Sequence, residues 1–259
     1  MRILYLGDIV GEITLKCLKE NLNTLKNDLK CNMVFVNAEN LTQGKGLIYK
    51  HYKALKELGI SAISMGNHTF SKKEIKDYIN NEDVTIVRPA NLNTEYGKEI
   101  LYVKYNDKTI ALVNMLGRVY SNTPLDCPFK TMERLLKEIK ADYIFVDFHG
   151  DATSEKKAFF YEFAGRVDAI VGSHTHVQTS DEQTYNKTSY ITDMGMCGPH
   201  LSVIGDDKDM VIKRFKTGVF EPLFVSTDNT IDINGVVIDI NGDVRKIERI
   251  SKKYKINVD

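Results

Sequence analysis

From Arg2 to Arg88 the chain alternates short apolar, β-branched runs with stretches of helical periodicity. That alternation constrains the fold more than any other feature, because parallel strands need crossovers long enough to hold a helix, and such sheets end up covered on both faces. Residues 2–7, 33–38, 61–65 and 84–88 read as strands. A helix is predicted from about Ile13 to Leu29, where Leu15, Leu18, Leu22, Leu25 and Leu29 recur at three- and four-residue steps, a stripe that belongs to the core and implies no cofactor. Ser71-Lys72-Lys73-Glu74 has the form of a capping box. It predicts a helix that starts there and carries Ile75, Tyr78 and Ile79 inward, which leaves Asn67 and His68 on a strand-to-helix loop.

The middle of the chain holds a predicted hairpin, YVKYNDKTIALVNML, turning at Asn106-Asp107. A helix near 129–140 follows. YIFVDFHG and DAIVGSHTHV then each read as a buried strand ending in histidine, with a helix near Ser154 to Arg166 between them. In FEPLFVSTDNTIDINGVVIDINGDVRKIERI, alternation and Asn-Gly turns predict antiparallel strands. With 259 residues, 42% of them hydrophobic, one core can be buried. No linker or repeat divides the chain, so the expectation is a single domain over 1–259, a two-sheet α/β sandwich flanked by helices.

Lysine plus arginine equals aspartate plus glutamate at 35 each. No net positive field exists to gather a long nucleic acid or an anionic membrane, and a small-molecule partner is favoured. In MRILYLGDIVGEITLK, charge and Gly-Asp interrupt the apolar run too early for a membrane span or signal peptide, so a soluble, cytoplasmic protein is expected. Cys17, Cys31, Cys127 and Cys197 form no CxxC pair, which removes the usual thiolate-zinc and redox patterns.

The chemistry-bearing residues lie where the predicted strands stop: Asp8, Glu39-Asn40, Asn67-His68, His149, and His174 with His176. In open α/β sheets the carboxyl ends of the strands form the ligand-binding edge, so these groups are expected to converge on one site. Taken alone, Asp8 after Gly7 would be as good a turn or cap residue, and His149 a satisfied core histidine. His174-Thr175-His176 is more specific: the imidazoles either share one side of an extended strand or fan toward adjacent ions at its end. Mixed carboxylate, amide and imidazole donors suit iron or manganese in a catalytic site, whereas a structural zinc site would bring thiolates.

Gly7-Asp8, Glu39, Gly66-Asn67-His68, His149 and Gly172-Ser173-His174-Thr175-His176 stand in the order of the motifs of the calcineurin-like metallophosphoesterases, which the chain resembles over nearly its whole length. Two departures mark a subgroup: Asp8-Ile9-Val10 replaces the usual Asp-x-His, and Glu39 followed by Asn40 replaces the bridging aspartate. Together with NAENLTQGKGL, MGNHTF, RPAN, DFHGDATSEK, GSHTHVQT, ITDMGMCGP and IKRFKTG, they make the chain similar to bacterial cyclic-nucleotide phosphodiesterases related to a biofilm regulator.

The resemblance implies a four-layer α/β/β/α sandwich and two metal ions, iron or manganese first, with magnesium or zinc as alternatives. Asp8, Glu39, Asn40 and His176 would hold one ion, and Glu39, Asn67, His149 and His174 the other, with Glu39 bridging. A hydroxide held between the ions would attack phosphorus while His68 protonates the leaving oxygen. The implied substrates are 2′,3′-cyclic nucleoside monophosphates. A phosphatase or nuclease with the same dinuclear site, and a non-catalytic regulatory scaffold, are the alternative readings, and a homo-oligomer stays open. Gly44-Lys45-Gly46 and Arg118 are further candidate anion contacts, while Lys213-Arg214-Phe215-Lys216 reads as a solvated face and His51 and His200 as ordinary surface or loop histidines.

Overall fold

The computed structural model describes residues 1–257. The strands are β1 (Arg2–Ile9), β2 (Met33–Asn37), β3 (Ala62–Ser64), β4 (Ile86–Val87), β5 (Ile100–Tyr105), β6 (Lys108–Leu116), β7 (Tyr143–His149), β8 (Ala169–Ser173), β9 (Gln183–Tyr185), β10 (Thr188–Ile191), β11 (Met196–Pro199), β12 (Thr230–Asn241) and β13 (Val244–Lys255). The helices are α1 (Gly11–Asp28), α2 (Tyr49–Glu57), α3 (Pro128–Glu138), α4 (Thr153–Phe163) and α5 (Lys208–Thr217). One sheet has seven strands in the order β13-β12-β11-β1-β2-β3-β4, the other six in the order β5-β6-β7-β8-β10-β9. Both are mixed. β1 to β4 run parallel, as do β6, β7, β8 and β10; antiparallel pairing closes the sheets at β13, β5 and β9, while β4 is a parallel edge.

Three apolar layers hold this sandwich. Between the sheets, Ile3, Tyr5, Phe35, Leu112, Phe145 and Val236 pack together. Phe35 meets Tyr5 and Phe145 edge-on at 5.7 and 6.0 Å, contacts worth about 0.5–1.5 kcal/mol each beyond area burial. The leucine stripe of α1 and Tyr52 and Leu55 of α2 cover the outer face of the seven-stranded sheet, and Met132, Phe159 and Phe163 of α3 and α4 cover the six-stranded one. The mixed α/β architecture expected from the alternation is therefore present, with helices on both outsides. Among the described residues no helix is long and apolar enough to cross a membrane.

Two local readings differ. The segment after Ser71 forms only a 3₁₀ turn, Lys73–Asp77, with no side-chain cap, because the Ser71 hydroxyl pairs instead with the ring of His68 at 3.1 Å. Asn234-Gly235 is no turn but the middle of β12, whereas Asn241 and Gly242 do connect β12 to β13. Gly235 lies so close to β1 that a Cβ there would collide with the carbonyl oxygen of Tyr5, so this glycine serves strand approach.

Candidate metal centre

Strands from both sheets point their carboxyl ends at one edge of the sandwich. From the seven-stranded sheet come Asp8 near the end of β1, Glu39 and Asn40 just past β2, and Asn67 and His68 just past β3. The six-stranded sheet delivers His149 as the last residue of β7, and His174 and His176 past β8. Both of the latter have left-handed backbones, at φ 101° and 65°, so they fan out beyond the strand and do not share one side of it.

One nitrogen shows how tightly these groups meet. His149 Nε2 lies 2.9 Å from Glu39 Oε1, 3.0 Å from Asn67 Oδ1 and 3.0 Å from His174 Nδ1. A single N–H cannot serve two oxygens and a second imidazole nitrogen at once. Lone pairs from four residues therefore aim at one small volume, and Glu39, His149 and His174 form a candidate cation site. Gly66 makes room for it: a Cβ there would collide with Glu39 Oε2 and His149 Nε2.

Beside this cluster, buried acceptors stand without partners. Asp8 Oδ2 accepts the backbone N–H of His174 at 3.1 Å, but its Oδ1 has no hydrogen bond. Asn40 donates through Nδ2 to the Gly44 carbonyl at 2.9 Å, which turns its unpartnered Oδ1 the other way. Buried acceptors without donors cost free energy unless a cation faces them. His176 donates from Nδ1 to the Ile204 carbonyl at 2.6 Å, leaving Nε2 as a lone pair. Oxygen and imidazole donors of this kind, with no thiolate among them, fit hard or borderline divalent ions.

The electrostatics agree with that fit. Burial pushes the Asp8 carboxyl up to about 6, against the pull of His176 and His149. Burial also opposes ionisation of Glu39, but His149 and His68 outweigh it and hold the carboxyl at about 2. On His149 burial is outweighed by Glu39, Asp8 and Asp147, which raise the ring to about 9. The cluster is thus a negative hollow that favours positive charge.

Behind these residues lies a polar network that the strand pattern did not disclose. His149 Nδ1 donates to Ser173 Oγ at 2.9 Å, and Ser173 donates to Asp147 Oδ1. Asp147 is fully buried and also accepts from Ser64 and Asn37. Its only signal was an aspartate inside the apolar run YIFVDFH. Lys156 is equally hidden: it donates to the Ser173 carbonyl at 2.7 Å and to Asp193 Oδ2 at 2.9 Å, and that carboxylate also accepts the Thr175 and Gly195 N–H groups.

Two cavities open onto the cluster, sharing Asp151 and His174 as a common wall. The larger, of about 550 Å³, is lined by Glu39, Asn40, Lys45, His68, His176 and Arg214. Arg214 was expected to be solvated, yet it faces this cavity because Phe220 and the Glu221 carbonyl hold its guanidinium back. The smaller, of about 260 Å³, is lined by Asn67, His149 and the loop after β6. Arg118 does not line that cavity and serves the loop through its backbone, its N–H donating to Glu155 and its carbonyl accepting from Ser121. His51 is buried on α2, paired with Thr42 at 2.8 Å, and is no surface residue, while His200 pairs with Asp232 at 2.7 Å.

A profile of YmdB-like proteins matches residues 4–252. The 2′,3′-cyclic-nucleotide 2′-phosphodiesterase of Bacillus subtilis is 45% identical over 97% of this chain and 96% of its own length. Among solved structures, one described as a novel phosphatase of Mycoplasma pneumoniae is 38% identical with a TM-score of 0.91, covering 98% of this chain and 94% of that one. A hypothetical protein of Thermus thermophilus is 33% identical with a TM-score of 0.92 over 98% of this chain and 99% of its own.

Proposed function

The chain belongs to the YmdB-like family, and on that premise we propose that it is a dinuclear metal-dependent phosphodiesterase that opens 2′,3′-cyclic nucleoside monophosphates at the 2′ ester. The observation that carries this reading is the convergence of Glu39, Asn67, His149 and His174 beside the unpartnered oxygens of Asp8 and Asn40. Asp8, Glu39, Asn40 and His176 would hold one ion, and Glu39, Asn67, His149 and His174 the other. When bound, such ions neutralise phosphoryl oxygens and supply hydroxide near neutral pH, with iron or manganese best suited to the donor set.

This chain's own residues then handle the leaving group. His68 lines the larger cavity, and its backbone N–H donates to Glu39 Oε2 at 2.8 Å, so the ring is fixed next to the cluster without belonging to it. In the protonated ring Nδ1–H donates to the Ser71 hydroxyl at 3.1 Å, which leaves Nε2–H as the proton to be passed on. Burial pulls the ring below its ordinary pKa and the Glu39 carboxylate pushes back; a bound phosphodiester anion adds to that push and favours the protonated form. Water adds to phosphorus, the bond to the 2′ oxygen breaks, and His68 passes its proton to that oxygen, leaving a 3′-phosphate. The four free thiols support a reducing, cytoplasmic setting, and the single-domain organisation belongs to the same reading.

The test is a product-resolved assay of 2′,3′- and 3′,5′-cyclic nucleotides with manganese or iron. The 2′,3′-cyclic esters should be opened to 3′-monophosphates, and His68→Ala should lose about a hundredfold or more in turnover at unchanged metal content. Equal loss of metal in that variant removes the donor role. Faster cleavage of oligonucleotides than of cyclic esters would make the protein a nuclease instead.

A further inference from the structure

We propose that the smaller cavity is a subsite for a planar aromatic group, the nucleobase of the substrate, with Tyr120 as its stacking platform; this rests on the phosphodiesterase reading above and adds where the base lies. The two cavities differ in chemistry. The larger carries formal charge from Lys45, Asp206 and Arg214, which suits phosphate and ribose. The smaller, apart from the shared Asp151 and the cluster residues Asn67, His149 and His174, is lined by uncharged residues, among them Leu116, Val119 and Tyr120 with the neutral donors and acceptors of Ser121, Asn122 and Thr123, which suit the faces and edges of a base.

Tyr120 is presented in a way that packing alone does not explain. It is 83% exposed, so the ring covers no core, and its backbone is left-handed at φ 64°, a position that glycine or asparagine fills at lower cost. The loop that carries it is nevertheless fixed at its root. The N–H of Gly117 donates to the His149 carbonyl at 2.9 Å, and those of Arg118 and Val119 donate to the Glu155 carboxylate at 3.0 and 3.1 Å. A turn closes from the Ser121 N–H to the Arg118 carbonyl at 3.1 Å. A hydrogen-bonded root thus places Tyr120 on the wall of a cavity that the candidate cluster residues Asn67, His149 and His174 also line. Asn67 lines the smaller cavity and the next residue, His68, the larger. A ribose held at this junction can offer its leaving oxygen to His68 and its base to Tyr120, and because every base has a π face, such a platform accepts all four.

Binding tests this independently of turnover. Manganese-loaded protein is titrated calorimetrically with adenosine 3′-monophosphate and with inorganic phosphate, as wild type, Tyr120→Phe and Tyr120→Ala. The nucleotide should bind wild type more tightly than phosphate does. Tyr120→Ala should weaken the nucleotide about tenfold, the loss of one base–aromatic stack, with phosphate changed less than twofold, and Tyr120→Phe should stay near wild type. Equal affinity of wild type for both ligands, or an equal response of both to Tyr120→Ala, overturns the subsite. Absence of turnover on cyclic nucleotides with these binding differences intact would overturn the reaction and leave the subsite standing.

Discussion

At His149, one proton decides what the residue can offer. Ser173 accepts from Nδ1–H and is itself anchored on Asp147, so Nε2 is the nitrogen turned toward Glu39, Asn67 and His174, where a bound ion would take the place of its proton. Partners of this kind fix both the tautomer and the ring plane of a ligating imidazole, and their loss typically costs about 10–100-fold in metal affinity. Ser173→Ala is accordingly expected to weaken manganese binding by about that factor, read by calorimetric titration of metal-stripped protein; wild-type affinity would show that the ring needs no such support. The candidate ligands were visible in sequence because each polar residue stands where an apolar run stops. Asp147 was not, since alternation within a buried strand says nothing of which inward position faces a polar partner from the other sheet. Ser173 was quoted only as a spacer before His174, and its use as a relay depends on β7 and β8 lying side by side.

Among the elements, α4 has two duties. Phe159, Phe160 and Phe163 pack its inner face against the six-stranded sheet, while Lys156, one turn earlier, reaches the end of β8 and binds Ser173 and Asp193. Burial opposes the Asp193 charge, but Lys156 and the backbone N–H groups hold its carboxyl below the usual carboxylate range. Through Thr175 N–H that carboxylate pins the turn in which His174 and His176 take left-handed backbones. Removing one member of a buried pair strands the other charge, so Lys156→Met should lose about 3–5 kcal/mol in urea unfolding. The double variant Lys156→Met/Asp193→Asn, which has no stranded charge, should recover part of that loss. A single variant as stable as wild type would show that the pair does not restrain the turn. The sequence pattern predicted α4 itself from its surroundings but not this duty, because a lone lysine on a helix reads as solvent-facing. At the 3₁₀ turn after β3 the reverse happened. Ser71 satisfied a helix-start pattern, yet the nearby His68 ring competed for the same hydroxyl and won.

In the whole molecule the candidate site joins two sheets whose interface is otherwise largely apolar, with the Asp147 contacts to Ser64 and Asn37 behind the site as a polar exception. Asp8, Glu39, Asn40 and Asn67 belong to the seven-stranded sheet, and His149, His174 and His176 to the six-stranded one. That division was unreadable from the chain: β11 enters beside β1, and β12 pairs with both of them, contacts set by long-range register and not by local pattern. It has a thermodynamic consequence. Ions that bind only when both sheets are in place stabilise the folded state by mass action, about 2.7 kcal/mol at a hundred times the dissociation constant. For a chain of this size that is worth roughly 5–10 °C in Tm. Melting in manganese should therefore exceed melting in chelator by about this margin, and Glu39→Gln, which weakens the residue expected to bridge the ions, should forfeit most of it. If wild type melts at one temperature in both buffers while still binding manganese, the ions do not couple the sheets; if Glu39→Gln keeps the full increment, the coupling runs through residues other than the bridge.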